Sequence, residues 1–374
     1  MTTPATTMRV SMFPKHDPGN PFVRRFAASL ERAGATVDDF SYVRALRRRY
    51  DVLHVHWPDS HLTSASWWGS LVKHLRFAAL IGWLRLRRTR VVWMTHNLSA
   101  HDQCHWLSRR LFPLWFPRAC THVVALTQSG LESARERYPV LAGKPSAVVP
   151  HGHYRHEYPA VPARDAARRR LGVPPDSFTL LFFGNVRRYK NVPHLIEVFR
   201  QLPGRDLHLI VAGQPGHGIS AEALSALRDG DDRVTLRLEF IQDADVPTYF
   251  GAADATVLPF DSILNSGSVL LALSFNRVVL APRLGALPEI QQRVGAQWLQ
   301  LYDGALTAEH LQALRTSAPP IEIEADLSAF DWNSVADRTL ELYRADPATT
   351  QGAPARPRGE GASYEKVRKQ YSKP

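Results

Sequence analysis

Short apolar runs recur along this chain and limit what it can fold into. They are Arg9–Phe13, Asp51–Trp57, Val91–Thr95, His122–Thr127 and Ser146–Pro150, then Leu180–Phe183, Leu207–Ala212, Val234–Glu239, Ala255–Leu258 and Val278–Ala281. Apolar runs of this length, bounded by turn residues, read as strands buried on both faces. Helix-length amphipathic stretches lie between several of them. Phe22–Ala33 looks helical, and Asn191–Phe199 carries Val192, Leu195, Ile196 and Phe199 at helical spacing. Strand and helix in alternation make an α/β architecture with parallel sheets.

The chain has 374 residues, enough for two domains with full cores. Pro159–Pro175 is basic, rich in Ala and Pro, and has no strand pattern, which marks a hinge between two α/β domains. The expected organisation is residues 1–156 as a first Rossmann-like domain and 172–330 as a second. A closing helix follows over 331–345, with Trp332, Ala336, Leu340 and Tyr343 along one face. The remainder, 346–374, is rich in Pro, Gly and charge and is expected to be disordered. Two cysteines, Cys104 and Cys120, imply no disulfide framework and suit a reducing cytoplasm. Residues 1–7 are polar and uncharged, unlike a secretion signal.

Two loops carry the chemistry. Asn265, Ser266, Gly267 and Ser268 sit where a strand gives way to a buried helix, Val269–Phe275. First-turn amides lack helical acceptors, and with the helix dipole behind them they suit an anion such as phosphate. An ordinary capped helix is the plainer alternative. The second loop follows Leu180–Phe183, where Gly184-Asn185 turns the strand and Arg187, Arg188 and Lys190 come at once. Arginine offers a planar fork to phosphate oxygens and lysine a point charge. Two such loops at one sheet edge could hold a diphosphate between them.

Histidines mark the first half. His54 and His56 alternate along one strand and so share a side. No further ligand has the spacing for a metal, so a packed pair beside a cleft is expected. His96-Asn97 closes the strand Val91–Thr95, and His101 and Asp102 follow in the next loop. An imidazole at a strand's carboxyl end, near a carboxylate, suits general-base work at neutral pH; a structural histidine capping the turn is the alternative.

The net charge is +11, unevenly placed. Residues 1–150 hold 21 Lys/Arg against 9 Asp/Glu, whereas 151–345 hold 19 against 23. No nucleic-acid motif accompanies the excess. In Trp67–Arg88, by contrast, Trp67, Trp68, Leu71, Leu75 and Trp83 are interleaved with Lys73, Arg76, Arg85, Arg87 and Arg88. Interfacial helices combine these residue types, although a core-packed helix with a solvated basic face does too. The longest apolar run, Phe77–Leu84, is too short to cross a bilayer.

Five separated blocks resemble a known family. They are YDVLHVHWP (Tyr50–Pro58), THNLSAH (Thr95–His101), HGHYR (His151–Arg155), RRYKN (Arg187–Asn191) and NSGSVLLALS (Asn265–Ser274). In this order they look like GT-B glycosyltransferases, in particular the β-mannosyltransferase of xanthan assembly and its relatives. The resemblance implies two Rossmann-like domains facing a cleft. The C-terminal one would bind a nucleotide sugar, GDP-mannose in the xanthan enzyme, and the N-terminal one a glycan on a polyprenyl diphosphate. Carried over by position, Arg187 and Lys190 would neutralise the donor diphosphate. Asn265, Ser266, Gly267 and Ser268 would donate hydrogen bonds to it, and Glu289 would hold a ribose or sugar hydroxyl. His54, His56, Asn97, His151 and Arg155 would line the acceptor side.

One departure bears on mechanism. Many retaining GT-B enzymes carry two glutamates eight positions apart at the helix start, and Leu264 and Ala272 stand there in this chain. Their absence favours inverting chemistry, in which a base deprotonates the acceptor hydroxyl. His96, His101 and Asp102 are the candidate bases, with His96 preferred. No cofactor or metal is expected. The same fold using a UDP-sugar such as glucose or glucuronic acid stays open, as does a non-catalytic sugar-nucleotide sensor. The expected location is cytoplasmic, peripheral on the inner face of the plasma membrane.

Overall fold

A computed structural model describes residues 7–17, 21–96, 104–155, 157–216, 218–319 and 323–346. The chain divides into two compact units, one of residues 1–152 with 330–374, the other of residues 153–329. Each is built on a six-stranded, wholly parallel sheet.

In the first unit the strands are β1 (Arg9–Phe13), β2 (Thr36–Asp39), β3 (Val52–Val55), β4 (Arg90–Thr95), β5 (His122–Ala125) and β6 (Ser146–Val148), in the order β2-β1-β3-β4-β5-β6. In the second they are β7 (Phe178–Phe183), β8 (Leu207–Ala212), β9 (Val234–Arg237), β10 (Ala255–Val257), β11 (Val278–Pro282) and β12 (Leu299–Tyr302), ordered β12-β11-β10-β7-β8-β9. The apolar runs fill these sheets because both faces are covered. All residues of β3, β8 and β11 are buried.

Strand order reverses beside β1 in the first sheet and beside β7 in the second. At such a point the loops leaving adjacent strands diverge, and a crevice opens beyond the strands' carboxyl ends. The β3 histidines lie beside the first reversal, and the Gly184 and Asn265 loops flank the second.

The closing helix belongs to the first unit rather than standing apart. It runs Trp332–Arg344, capped by Asp331, whose carboxylate accepts from the Asn333 amide at 2.8 Å. Its face of Trp332, Val335, Ala336, Leu340 and Tyr343 shares one apolar core with Phe22, Val23, Phe26 and Leu30 of the helix Pro21–Arg32. Gly152, the last residue before the chain leaves this unit, lies so near that a Cβ there would sit 2.2 Å from the Trp332 ring.

Several elements depart from the sequence reading. The division falls after Gly152, not 156, and Pro159–Pro175 contains a helix, Arg164–Leu171, within the second unit. β2, with sequence TVDD, and β12 were not expected. Nor was the helix Trp106–Ala119, which forms despite Pro113 and Pro117 inside it. The tail from residue 347 lies outside the described residues.

Candidate active site

In the second unit, four loops leave the carboxyl ends of adjacent strands β11, β10, β7 and β8 and are tied to one another. Gly184 ends β7 at φ +116° and donates to Ala212 O at 2.9 Å. Val186 N donates to Gln214 O and Gly216 N returns the bond to Val186 O, at 2.9 and 2.8 Å. The chain passes so close that a Cβ on Gly213, itself at φ +146°, would lie 2.2 Å from Gly184 O. Only glycine tolerates that contact and that backbone. Between the β7 and β10 loops, the Asp261 amide donates to Tyr189 O at 2.7 Å and the Asn191 amide side chain to Asp261 Oδ1 at 2.7 Å. Between the β10 and β11 loops, Ala286 N donates to Leu264 O at 3.0 Å.

This bracing brings the two predicted phosphate loops together at Gly184. A Cβ added there would lie 3.1 Å from Lys190 Nζ and 3.7 Å from Ser268 Oγ. Ammonium and hydroxyl therefore converge over one glycine, where a side chain would separate them. Lys190 ends a short 3-10 turn, Arg188–Lys190, and is buried. Burial, aided by the Arg187 charge, pushes its pKa down to about 8. Among the described residues no carboxylate acts to raise it, and its Nζ sits 5.7 Å from the Phe182 ring centroid. A cation enclosed with no counter-charge beside it among the described residues is costly, and an anion would relieve that cost. Arg187 and Arg188 are exposed on the same loop.

The second loop supplies main-chain donors. Ser266 is buried and caps the helix Gly267–Ser274 by accepting from Val269 N at 3.3 Å. The Gly267 and Ser268 amides fall in the first turn, where no helical carbonyl precedes them. Asn265 is half-buried beside them. Glu289 lies in the first turn of the next helix, Leu287–Val294, also half-buried. Arg155, expected on the acceptor side, is spent inside the second unit. Its guanidinium donates to Asn276 Oδ1 and to Ala325 O, both at 2.8 Å, and pairs with Glu324 at 3.4 Å. It is a brace for the segment approaching the unit boundary.

In the first unit, four imidazoles gather at the carboxyl edge of the sheet. His54 and His56 do share a side, with ring centroids 4.6 Å apart. His56 Nδ1 lies 2.9 Å from His96 Nε2, and His54 Nδ1 lies 2.5 Å from the Tyr343 hydroxyl. His54 is fully enclosed, so it reaches no surface from which to touch an acceptor; its place is in the core. His151 packs against Phe22, centroids 4.4 Å apart. Desolvation holds all four neutral. It lowers His54 to about 3 and His151 to about 4, and drives His56 and His96 well below the usual range. Among the described residues no three His, Cys, Asp or Glu side chains are grouped to hold a metal ion. His101, Asp102 and Asn97 lie outside the described residues.

Sequence reasoning missed the residues that frame His96. The Trp57 indole stacks on it, centroids 4.2 Å apart and planes 24° off parallel, and Phe22 meets it edge-on at 5.3 Å. Trp57 has φ +34°, unusual for so bulky a residue. The Pro58 after it was the one available signal, since proline disfavours the right-handed helical region in the residue before it.

Comparison with known proteins places this geometry. Residues 177–315, which contain both loops and Glu289, match the family described as glycosyl transferases group 1. The chain is 30% identical over 306 residues to the GDP-mannose:glycolipid 4-beta-D-mannosyltransferase of Xanthomonas campestris pv. campestris, covering 81% of this chain and 82% of that one. The chain belongs to the GT-B glycosyltransferases of group 1. A second relative of this glycosyltransferase, the D-inositol 3-phosphate glycosyltransferase of Kineococcus radiotolerans, is 26% identical over 84% of this chain and 76% of its own. Among solved structures, sucrose-phosphate synthase from Thermosynechococcus elongatus superposes with a TM-score of 0.64 at 17% identity, over 90% of this chain and 98% of that one. Anabaena HepE in complex with UDP-glucose gives 0.60 at 15%, over 92% and 97%. At these identities the superpositions speak to fold: two Rossmann-like units, as in GT-B enzymes.

Proposed function

We propose that this glycosyltransferase moves a mannosyl residue from GDP-mannose to a lipid-linked glycan, with inversion at the anomeric carbon. The observation that carries the reading is the meeting of Lys190 Nζ and Ser268 Oγ over Gly184. The Xanthomonas relative's name supports the donor and acceptor classes. In the proposed reaction the acceptor hydroxyl attacks C1 as a base takes its proton. The C1–O bond to the diphosphate breaks, and its electrons pass to the departing nucleotide. Lys190 and the Gly267 and Ser268 amides would meet the negative charge that develops there; such fixed donors are often the largest catalytic contribution. His96 is the proposed base, since it is neutral and clamped in place. Arg187, Asn265 and Ser266 would complete the diphosphate contacts, and Glu289 would take a ribose or sugar hydroxyl.

The donor is tested by melting the protein with GDP or with UDP. A ligand bound only by the native state raises the melting temperature in proportion to the logarithm of its concentration over Kd. GDP is expected to act at concentrations at least tenfold lower than UDP, and GDP-mannose to be the sugar nucleotide consumed. Stabilisation by UDP alone would overturn the donor assignment. Silence from both would overturn the enzyme.

The proposed acceptor lies at a membrane surface, and the first unit has a face suited to one. The helix Trp67–Leu86 turns His74, Phe77, Ile81 and Leu84 into the core and leaves Trp67, Trp68, Leu75, Trp83 and Leu86 exposed. On the helix Trp106–Ala119, packed alongside it, Trp106 and Leu114 are also exposed. Arg76, Arg85, Arg109 and Arg110 are exposed among them. Exposed tryptophans with arginines fit an anionic lipid interface. No helix among the described residues is long and apolar enough to span a membrane. The protein is expected to sediment with vesicles containing anionic lipid, and a Trp67→Ser/Trp68→Ser/Trp106→Ser variant to bind at least tenfold more weakly. Equal recovery in the supernatant with and without vesicles would remove this part.

A further inference from the structure

We infer that Asp261 is a positioning residue for Lys190: from the neighbouring loop it holds the turn that presents the ammonium to the proposed donor diphosphate. This rests on the reading of Lys190 as a diphosphate contact. Lys190 is the last residue of the 3-10 turn Arg188–Lys190, and so short a turn has few hydrogen bonds of its own to hold it. Asp261 grips this one on either side of the lysine. Its amide donates to Tyr189 O at 2.7 Å, and its Oδ1 accepts from Asn191 Nδ2 at 2.7 Å. The Tyr189 ring also stacks on the buried ring of Phe260, centroids 6.4 Å apart and planes 29° off parallel. Residues 189–191 are thus anchored by two successive residues of the loop between β10 and the helix Gly267–Ser274. That helix carries Ser268, so one loop fixes the turn bearing the ammonium and leads to the hydroxyl it meets over Gly184.

Asn191 serves this contact in place of a local one. It stands at φ +50° and ψ +38°, in the left-handed region, between the 3-10 turn and the helix Val192–Arg200. Asparagine enters that region more readily than most residues with a Cβ. At a helix start its side chain ordinarily bonds the first-turn amides; here it makes no such bond and reaches across to Asp261 instead. Glycine would supply the same backbone without the tie. The carboxylate holds the turn without cancelling the lysine. Burial raises Asp261 from the usual carboxylate range against the Asn191 bond and the His194 charge, whereas Lys190 is acted on by burial and by Arg187. Placement of the ammonium matters because a shift of about 1 Å in a group facing the reacting centre can cost on the order of 10²-fold.

The experiment is nucleotide binding by the full chain, read as the rise in melting temperature over titrations of GDP and, in parallel, of UDP. Asp261→Ala removes the acceptor and is expected to weaken whichever nucleotide binds by about tenfold. Asp261→Asn keeps an oxygen that can accept from Asn191 and should stay within about threefold of wild type. Asn191→Gly keeps the left-handed backbone and loses the tie, so its loss should match that of Asp261→Ala within about twofold; it also carries the test if Asp261→Ala does not fold. The Lys190→Met/Asp261→Ala double variant should bind no more than about twofold more weakly than Lys190→Met alone, because the group to be positioned is already gone. A merely structural brace would act as strongly without the ammonium. Less than threefold loss in Asp261→Ala, equal losses in Asp261→Ala and Asp261→Asn, or a further loss in the double variant as large as that of Asp261→Ala alone would overturn the inference. Undiminished nucleotide binding in Lys190→Met would instead overturn the diphosphate reading beneath it.

Discussion

Lys190→Met is expected to lose sugar transfer by 10²- to 10³-fold while the ligand-free protein melts higher than the wild type. Both effects have one cause. The ammonium is enclosed with no carboxylate beside it among the described residues, so burial disfavours its charge. A pKa lowered from 10.5 to about 8 corresponds to something on the order of 3 kcal/mol against the folded, charged form. Methionine fills nearly the same volume without that penalty. The proposed diphosphate would supply a counter-charge, so the lysine would stabilise the complex at some cost to the protein alone. Loss of one fixed donor to a developing anion generally costs 10²- to 10³-fold. The sign of a pH test follows. The native state releases this proton from about pH 8, whereas the unfolded chain holds it to 10.5. The native state therefore binds fewer protons in that window, and wild-type stability gains from Lys190 as pH rises through it. The methionine variant lacks this contribution. Transfer rates within threefold of wild type would refute the site.

Acid is expected to unfold the first unit early, well before carboxylates titrate. His54 is held down to about 3 and His151 to about 4, with His56 and His96 also far below 6.5. In the unfolded chain all four protonate near 6.5. Between pH 6.5 and the folded values the unfolded state binds more protons, so stability falls as pH falls. Each unit of depressed pKa is worth about 1.4 kcal/mol once the window has been crossed. Calorimetry at pH 5.5, in buffers of different ionisation enthalpy, should record uptake of several protons on unfolding. The melting temperature should drop by roughly 15–30 °C between pH 7 and 5. Near-zero uptake would mean that the imidazoles are not sealed as described.

The fold was legible wherever burial covered both faces of a strand, because continuous apolar runs announce themselves. β2 escaped because TVDD sits at a sheet edge, where only Val37 is buried and aspartates are tolerated. The helix Trp106–Ala119 escaped because Pro113 and Pro117 argue locally against helix, and packing of Phe112 and Phe116 into the core outweighs them. Of the site, Lys190 and Ser268 could be paired in advance, since each follows a strand of one parallel sheet and so leaves by the same edge. The link between His56 and His96 was beyond reach. It depends on β3 lying beside β4 in register, with Val55 opposite Trp93, and no local pattern states which strands are neighbours. Arg155 misled for the opposite reason: its position in a matching block said nothing of the Asn276 and Ala325 acceptors that occupy it.

The closing helix has a consequence for how a cell makes this protein. A nascent chain emerging from the ribosome presents the sheet of residues 9–148 long before Trp332–Arg344 exists. Until then Phe22, Phe26 and Leu30 lack the helix that completes their core, whereas residues 153–329 form a compact unit from one continuous segment. The unit synthesised first is therefore the last to be finished. Chaperones that shelter bare apolar surface during translation have their natural client in the amino-terminal half.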